Sequence, residues 1–215
     1  MLDIAVTADL LPVNPAKAIR GGQTTKRKAE SLTTEQITAL AQAIQPHTTE
    51  FWMLLTCGLR FGEMAGLSYE QVRDSDDDAW KILHVDRQVQ RIGGETVWGL
   101  PKGGKERDVP LPGWLADRLE RKGGLALPGP GGEPWTNDTW RTPWERARKA
   151  AGLPHLHSHD MRHVFAARQI EAGTDLKTLQ VVMGHAHLSI TTDLYGAMAA
   201  PKPRIADISG QAPPA

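Results

Sequence analysis

Apolar and polar residues follow patterns along this chain that distinguish helix from strand. After the first thirty residues, apolar side chains recur every three or four positions, which is the spacing of an amphipathic helix. Thr33 and Gln36 have the spacing of a capping box, which predicts a helix that ends near Ala43. The same periodicity predicts a second helix over residues 49–57 and a third within the segment GLRFGEMAGL.

The middle of the chain changes to the period-two pattern of β-strands. The segments WKILHVDRQV, ETVWGLP and RDVPL are rich in β-branched and aromatic residues, and the turn sequences RIGG and KGGK separate them. Three short strands joined by tight turns pair with their neighbours along the chain. The pattern therefore predicts a small three-stranded antiparallel meander.

Helical periodicity returns in the second half of the chain. The segment PGWLADRLERK predicts one helix, and LALPGPGGEP has the composition of a loop. Asn137 or Thr139 is expected to cap the next helix, and Gly152 and Pro154 are expected to end it. Three further helices are expected around residues 160–172, 175–183 and 188–196.

The order of helices, a small sheet and more helices predicts an α+β fold that is mostly helical. Residues 1–20 have the pattern of a helix followed by a proline-rich exit, and residues 21–30 have the polar, basic composition of a linker. Residues 31–199 are expected to form one compact domain. Residues 200–215 contain four prolines and are expected to form a C-terminal tail.

The charge of the chain is balanced overall but unevenly distributed. The formal net charge is +0 and the pI is about 7.1, which argues mildly against a nucleic-acid-binding protein. However, residues 17–30 contain five basic residues and one acidic residue, and residues 141–168 contain six basic and two acidic residues. The acidic run DSDDD lies elsewhere. A neutral chain of this kind can carry a basic face.

Cysteine usage and the lack of targeting signals predict where the protein resides. Cys57 is the single cysteine, so no internal disulfide forms and a reducing compartment is expected. The N-terminal residues lack the basic and apolar regions of a signal peptide, and no segment has the ~20 apolar residues that span a bilayer. We therefore expect a soluble protein of the cytoplasm.

Four histidines and one arginine lie within the nine residues that begin at His155. His159 and His163 are four residues apart and share a helical face with Arg162. A zinc site would need a third ligand, and a guanidinium beside a dication is unfavourable. Arginine between imidazoles suits an anion such as phosphate, and a helix N-terminus favours the same charge. A simple helix cap with a surface ion pair explains these residues equally well.

A second candidate lies in the segment TCGLRFGEMAGL. Arg60 stands between Gly58 and Gly62, which permit close backbone approach or a positive φ. Glu63 lies three residues after Arg60 and can orient its guanidinium. An arginine on a tight turn beside apolar helices is more constrained than a surface arginine, although most such residues have a structural role.

Three further candidates come from the segments LPKGGKERDVPL and MGHAHLSITTDLYG. Lys102 and Lys105 flank a Gly-Gly turn between two predicted strands, where a lysine is either solvated or delivered to a ligand. His185 follows a helix that ends at Gly184. Tyr195 stands beside a glycine rather than within an apolar run. Each of these residues alone has an ordinary structural explanation.

Together the candidates match the chemistry of phosphodiester cleavage without a metal. Arginines neutralise the non-bridging oxygens as charge builds, and a general acid protonates the leaving alkoxide, which is typically worth ~10²–10⁴ in rate. A tyrosine with a pKa near 10 becomes a usable nucleophile when arginines stabilise its anion and a histidine accepts its proton.

Four segments in this order resemble the tyrosine recombinase family, specifically the integrases of temperate phages and integrative elements. They are TCGLRFGEMAGL, LPKGGKERDVPL, HSHDMRHVFAARQIEAG and VVMGHAHLSITTDLYG, and the resemblance covers residues 31–197. It implies that residues 31–199 are a catalytic domain, that residues 1–20 end a core-binding helical domain, and that residues 21–30 are the interdomain linker. The chain is then either a fragment without most of its core-binding domain or a naturally short integrase.

The resemblance implies a role for the cationic residues. Arg60 and Arg162 resemble the two arginines that clamp the scissile phosphate, and Glu63 resembles the acid that orients the first. Lys102 resembles the lysine that acts as general acid on the leaving 5′-oxygen. The sequence KGG departs from the more common lysine-threonine pair, so Lys105 remains an alternative. The position of the following strand favours Lys102.

The resemblance also implies the roles of the histidines and the nucleophile. His159 resembles the residue that assists proton removal from the nucleophile, and His163 occupies a supporting position. His185 resembles the histidine that donates a hydrogen bond to the scissile phosphate. Tyr195 resembles the nucleophile that forms a 3′-phosphotyrosyl bond. The energy of the broken phosphodiester bond is kept in the phosphotyrosyl bond. The resemblance therefore implies no ATP, no metal and no other cofactor.

Family resemblance also implies partners. These are double-stranded DNA attachment sites, a homotetramer on two duplexes, and an accessory DNA-bending protein or excisionase, with no membrane, in the cytoplasm of a bacterial host. Ile205 and Ile208 in the polar tail suggest the hypothesis that the tail docks on a neighbouring subunit and controls Tyr195. A disordered end is equally compatible with its prolines.

Three other functions compete with the recombinase interpretation. The first is a catalytically inactive DNA-binding relative, against which the intact set of candidate residues argues. The second is a metal-dependent hydrolase that uses the cluster from His155 to His163, which activity in EDTA would exclude. The third is a type IB topoisomerase-like strand transferase, which lacks sequence-selective strand exchange.

The basic residues 141–168 and the nearby tryptophans have two interpretations. Trp135, Trp140 and Trp144 either line a groove for DNA or belong to the core, and we favour the core for Trp144. Phosphate contacts made by such basic residues give salt-dependent binding without sequence specificity.

Overall fold

A computed structural model gives the fold of residues 6–15, 31–121 and 123–185. The whole predicted linker, residues 21–30, lies outside these residues, as do the helix expected around residues 188–196, Tyr195 and the C-terminal tail. No helix within the described ranges is both long enough and apolar enough to cross a membrane.

Seven α-helices lie within residues 31–121 and 123–185. They are α1 (Thr34–Ala43), α2 (Thr48–Thr56), α3 (Phe61–Ala65), α4 (Gly113–Ala116), α5 (Asn137–Ala150), α6 (Asp160–Glu171) and α7 (Leu176–Met183). Short 3₁₀ helices cover Tyr69–Gln71 and Pro130–Gly132.

The helix termini follow the local signals in most places. Thr33 and Gln36 form the predicted capping box at the start of α1. Helix α5 starts one residue earlier than expected, because Thr136 is its N-cap and Thr139 is the reciprocal partner at the third helical position. The capping role expected for Asn137 or Thr139 is therefore wrong. His159 is the N-cap of α6 but makes no capping hydrogen bond with its side chain.

Five strands form two antiparallel sheets. They are β1 (Val72–Asp74), β2 (Trp80–Val85), β3 (Gln88–Ile92), β4 (Glu95–Gly99) and β5 (Arg107–Pro112). The three-stranded sheet has the order β1-β2-β5, and the two-stranded sheet pairs β3 with β4. The α+β fold with a small three-stranded antiparallel sheet is confirmed, although its strands are not those of the predicted meander.

The predicted strand WKILHVDRQV is interrupted at Asp86 and Arg87 and continues in the second sheet. The Asp86 carboxylate accepts hydrogen bonds from Gln71 Nε2 at 2.7 Å and from Arg87 Nε at 2.9 Å, which fixes the interruption. The chain turns at Gly93 and Gly94 and returns through β4 and β5. The strands therefore form one long ribbon of two antiparallel chain segments. In one half β2 pairs with β5, and in the other half β3 pairs with β4.

One hydrophobic core unites α1, α2, α3, α5 and the three-stranded sheet. Its largest fully buried side chains include those of Leu40, Phe51, Met64, Leu83 and Trp140. A smaller cluster joins α6 to α7 through residues that include Phe165, Leu179 and Met183. Burial of both clusters supplies the dominant favourable contribution to folding.

Trp135, Trp140 and Trp144 are all buried, with exposed fractions of 4%, 2% and 4%. Trp135 and Trp140 pack edge to face with ring centroids 5.1 Å apart, and Trp144 Nε1 donates to the carbonyl of Leu156 at 3.1 Å. The core interpretation favoured for Trp144 is confirmed and applies to all three tryptophans.

Gly58 and Gly62 are required for two different close approaches. Gly58 has φ of +59°, and a Cβ there would lie 2.4 Å from the Phe165 ring of α6. A Cβ at Gly62 would lie 2.5 Å from the carbonyl oxygen of Val89 in β3. The two glycines thus allow the turn before α3 to contact both α6 and the ribbon.

We predict that Gly58→Ala destabilises the fold more than Gly152→Ala. Both positions have a positive φ, which costs alanine about 1–2 kcal/mol. A Cβ at Gly152 meets no atom within 4 Å, whereas one at Gly58 overlaps Phe165 and adds about 1–3 kcal/mol. Urea unfolding measures both losses. Equal free energies of unfolding for the two variants would contradict the predicted contact with Phe165.

Candidate active site

One open cleft of about 1240 Å³ collects most of the candidate residues. Its walls come from the turn before α3, the β3–β4 ribbon, the N-terminus of α5, the N-terminus of α6 and the end of α7. The candidate side chains that line it are those of Arg60, Lys102, His159, Arg162, His163 and His185. Residues separated by more than a hundred positions in sequence therefore share one surface.

Arg60 is held at the start of α3 by Glu63. The Glu63 carboxylate accepts the backbone N–H of Arg60 at 2.8 Å and its guanidinium Nη1 at 2.9 Å. The glutamate therefore caps the helix and directs the arginine with one side chain. Glu63 is fully buried and is not part of the cleft wall, so it acts from behind Arg60.

Arg107 is a second partner of Glu63 and was not among the predicted site residues. Its Nη1 and Nη2 donate to the two carboxylate oxygens at 2.9 and 2.7 Å, and only 4% of its side chain is exposed. Burial alone would raise the pKa of Glu63, but the hydrogen bonds and charge of Arg107, together with those of Arg60, lower it below its usual value.

The sequence does contain a signal for Arg107. In the strand RDVPL, the period-two pattern places Arg107 on the same face as Val109 and Leu111, and all three are buried. A charged residue on the apolar face of a strand needs a buried partner of opposite charge. The pattern thus indicates an ion pair, although it does not identify Glu63 as the partner.

Three arginines bind three successive carbonyl groups at the C-terminus of α7. Arg107 Nε donates to Val182 O at 2.7 Å, Arg162 Nη2 donates to Met183 O, and Arg60 Nη2 donates to Gly184 O at 3.1 Å. The carboxyl end of a helix has unpaired carbonyls and a partial negative charge, so cations stabilise it.

Gly184 and His185 follow this helix end directly. Gly184 has a left-handed conformation, with φ of +61°, and ends α7. The next residue, His185, lines the cleft beside the arginines. The backbone that leads into His185 is therefore held by the same contacts that hold the end of α7. Arg162 extends this network to the turn before α3, because its Nη1 donates to the carbonyl of Gly58.

The three cleft histidines have lowered pKa values. Burial and the charges of Arg162 and Arg60 lower the pKa of His185 to about 4. Partial burial, with the neighbouring His163 and Arg162, also lowers the pKa of His159, whose side chain keeps an exposed surface, and burial is the main cause for His163. The rings of His159 and His163 meet edge to face with centroids 5.4 Å apart. All three imidazoles are therefore neutral at pH 7.

Lys102 reaches the cleft from the returning side of the ribbon. Residues 100–106 lie opposite only Asp86 and Arg87, because Val85 pairs with Arg107 and Gln88 pairs with Gly99. The lysine thus lies on a bulge where the two sheets meet. The strands on its two sides, β4 and β5, do not pair with each other, so it is not at the tip of a hairpin. Lys102 lines the cleft, whereas Lys105 is exposed and is not among the residues of its wall.

Tyr195 lies outside the described residues, so its distance from the cleft is not defined. Of the histidines in the cluster that begins at His155, only His159 and His163 line the cleft. Within the described ranges, no three His, Cys, Asp or Glu side chains are grouped so that they could hold a metal ion.

Most arginines of the basic stretch 141–168 have structural partners. Arg146, Arg148 and Arg168 donate to the backbone carbonyls of Gln45, Leu156 and Leu32. Among the arginines and lysines of this stretch, all within the described residues, Arg162 alone lines the cleft. Side chains of this stretch thus mainly connect helices, and the run of basic residues is not a continuous cationic surface of the cleft.

Comparison with known proteins finds a consistent set of relatives. The profile of the phage integrase family matches residues 30–200. Tyrosine recombinase XerC of Ralstonia pickettii (strain 12J) is 29% identical over 222 positions, which cover 91% of this chain and 63% of that protein. Tyrosine recombinase XerD of Pseudomonas putida (strain KT2440) is 30% identical over 224 positions, covering 94% of this chain and 68% of that protein.

Solved structures show the same fold. The Tn1549 transposon integrase, in complex with a circular intermediate DNA, superimposes with a TM-score of 0.67 at 21% identity, covering 90% of this chain and 72% of that chain. The catalytic domain of bacteriophage HP1 integrase gives a TM-score of 0.56 at 20% identity, covering 80% of this chain and 90% of that chain. The chain spans 63% of the length of the first curated relatives.

We predict that stability falls as the pH is lowered from 7 to 5, in part because of His185. An unfolded histidine has a pKa of ~6.5, whereas the folded pKa of His185 is about 4. Between these values the unfolded state binds the proton and the folded state does not, so acid favours unfolding. The lowered pKa values of His159 and His163 act in the same direction.

Urea unfolding at pH 7.5, 6.0 and 5.0 tests this expectation. His185→Gln should lose less stability over that range than the parent protein, since it no longer gains a proton on unfolding. His157→Gln, at an exposed histidine outside the cleft wall, is the matched control and should follow the parent. The same pH dependence in His185→Gln and in the parent would contradict the prediction.

Proposed function

The chain belongs to the phage integrase family, and from this premise we propose that its cleft breaks and rejoins DNA strands in site-specific recombination through a 3′-phosphotyrosyl intermediate. The observation that carries the proposal is the meeting of two arginines, a lysine and three histidines in one open cleft. These side chains can neutralise a phosphodiester and move protons at its oxygens without any cofactor.

The phosphate clamp is the best supported part of this proposal. Arg60 and Arg162 line the cleft, and their guanidinium groups are oriented by Glu63 and by backbone carbonyls. Preorganised donors of this kind stabilise charge as it develops on the non-bridging oxygens of the phosphate. Neutral His185 adds an N–H donor beside them, which suits a hydrogen bond to the same phosphate.

The remaining roles are assigned to groups that transfer protons. Neutral His159 can accept the phenolic proton of Tyr195, with His163 in support, and the lowered pKa of His159 favours that neutral form. Lys102 is the proposed general acid, because it reaches the cleft where the scissile phosphate would lie. Tyr195 is the proposed nucleophile by its position in the fourth motif segment.

The proposed reaction is a pair of balanced transesterifications. In cleavage, Tyr195 Oη attacks phosphorus and the bond to the 5′-oxygen breaks, with the phenolic proton passing to His159 and a proton from Lys102 reaching the 5′-oxygen. In rejoining, a 5′-hydroxyl attacks phosphorus and its proton passes to Lys102, while the bond to Tyr195 Oη breaks and His159 returns the phenolic proton. One phosphodiester is exchanged for another, so neither ATP nor a metal is needed.

The proposal extends to partners that the whole protein would engage. The Tn1549 transposon integrase and the XerH site-specific recombinase, two structural relatives, are bound to DNA, which supports double-stranded DNA attachment sites as the substrate. We propose a homotetramer on two duplexes, with an accessory DNA-bending protein or excisionase, acting in the cytoplasm of a bacterial host. We further propose that residues 31–199 are the catalytic domain, preceded by a linker and the end of a core-binding domain.

We predict covalent trapping of DNA through Tyr195. The protein is incubated in EDTA with nicked suicide duplexes that carry candidate attachment-site cores, and a denaturing gel reveals the covalent complex. A shifted band that is lost in Tyr195→Phe would be the expected result, because the phenol oxygen is the attacking atom. DNA cleavage that requires a divalent metal and leaves no covalent band would instead favour the metal-dependent hydrolase.

The same assay in a form to which a core-binding domain has been added supplies the control for DNA binding. A band only in that form would attribute the failure of the shorter chain to weak binding. Failure of both forms would contradict the proposed mechanism and favour an inactive DNA-binding relative. Relaxation of supercoiled DNA without sequence-selective exchange would favour the topoisomerase-like alternative.

We predict that Lys102→Ala slows cleavage by roughly 10²–10⁴, which is the usual contribution of general acid catalysis. Lys105→Ala is the matched control and should cleave at nearly the parent rate, because Lys105 is outside the described cleft wall. Single-turnover cleavage of the suicide duplex measures both rates. A larger defect in Lys105→Ala than in Lys102→Ala would assign the general acid to Lys105.

A further inference from the structure

Arg107 connects three parts of the cleft although it is not part of its wall. Its guanidinium donates to both oxygens of Glu63 and to the carbonyl of Val182, and its side chain is 4% exposed. It begins strand β5, which follows the bulge that carries Lys102. One buried side chain thus joins the support of Arg60, the end of α7 and the base of the lysine bulge.

The carboxylate of Glu63 accepts two hydrogen bonds from each of two arginines. Its Oε1 accepts from Arg60 Nη1 and Arg107 Nη1, both at 2.9 Å. Its Oε2 accepts from the backbone N–H of Arg60 at 2.8 Å and from Arg107 Nη2 at 2.7 Å. Loss of the two bonds from Arg107 would free the carboxylate to rotate, and Arg60 would lose its fixed direction.

The end of α7 depends on Arg107 through a separate contact. Val182 O accepts Arg107 Nε at 2.7 Å, and Gly184 passes so close that a Cβ there would lie 3.0 Å from Arg107 Cδ. His185 is the next residue along the chain. The Arg107 side chain therefore forms a rigid surface on which the last turn before His185 rests.

We propose that Arg107 is a positioning residue that sets Arg60 and His185 at the distance at which both contact one scissile phosphate. This inference rests on the proposed function. Arg107 does not touch the cleft, so it acts through Glu63 and through the carbonyl of Val182. Lysine cannot replace it, because a single ammonium group cannot bind both carboxylate oxygens in a planar fork and also reach Val182 O.

The test compares cleavage by the Arg107→Lys variant of the 215-residue chain with cleavage by the parent protein. Each protein is assayed on two suicide duplexes. One duplex has the ordinary phosphodiester, and the other has a methylphosphonate at the scissile position. The methyl group replaces a charged non-bridging oxygen, so this substrate needs less help from correctly placed arginines. The ratio of the two single-turnover rates at saturating DNA does not depend on the fraction of folded protein.

We expect Arg107→Lys to cleave the phosphodiester roughly 10²-fold more slowly than the parent, as for the loss of a preorganised donor. On the methylphosphonate, its rate should lie within roughly tenfold of the parent rate. Arg60→Ala removes one arginine of the phosphate clamp directly. Its ratio of the two cleavage rates therefore shows how large the change is when Arg60 no longer contacts the phosphate. DNA affinity measured by gel shift should stay close to that of the parent, since Arg107 does not line the cleft.

Arg148→Lys is the matched control. Arg148 is also mostly buried and donates to a backbone carbonyl, that of Leu156, but it does not line the cleft or contact Glu63. Its ratio of rates should equal that of the parent. Thermal unfolding identifies any substitution that prevents folding, and Arg107→Gln is assayed in the same way if Arg107→Lys does not fold.

Two outcomes would overturn the inference. An equal loss on both duplexes would show that Arg107 only maintains the fold, and unchanged rates on both would show that it is dispensable. A parent protein that forms no covalent complex in either chain length would instead contradict the proposed function. The result with the parent protein therefore shows whether the proposed function is wrong or only the proposed role of Arg107 is wrong.

Discussion

The buried carboxylate of Glu63 is the interaction on which the rest of the site depends. It has no exposed surface, and it accepts four hydrogen bonds, two from Arg60 and two from Arg107. A carboxylate removed from water is stable only when charged donors replace its hydration. The two arginines meet this need, and in return the carboxylate fixes the direction of a guanidinium that reaches the cleft.

The end of α7 extends this arrangement into an electrostatic surface. Arg60, Arg107 and Arg162 surround three successive carbonyl groups, and Glu63 supplies the one carboxylate among them. Three cations against one anion give this part of the cleft a positive potential, although the whole chain has a formal net charge of +0. The same charges, together with burial, keep His185 neutral at pH 7. A neutral chain and an anion-binding cleft are therefore compatible.

The long ribbon decides where Lys102 lies. Because the outgoing strand is interrupted at Asp86 and Arg87, β5 returns to the three-stranded sheet while β4 stays with β3. The residues between β4 and β5 have no opposing strand of equal length, so they form a bulge toward the cleft. Lys102 thus has an exposed side chain on a segment that ends at the buried Arg107.

Much of this protein could be predicted from local sequence signals. The helix periodicity, the capping box at Thr33 and the glycines at positions 58 and 62 act over a few residues, so they are visible without a structure. The set of candidate cleft residues came from motif segments in order. Strand partners were predicted less well, because pairing depends on which segments meet after the chain turns. Only the tertiary structure revealed that Arg107 and Arg60 share Glu63, and that three arginines bind the end of α7. These contacts join residues 44 to 124 positions apart or depend on helices packing, and no local pattern specifies which buried charges will meet.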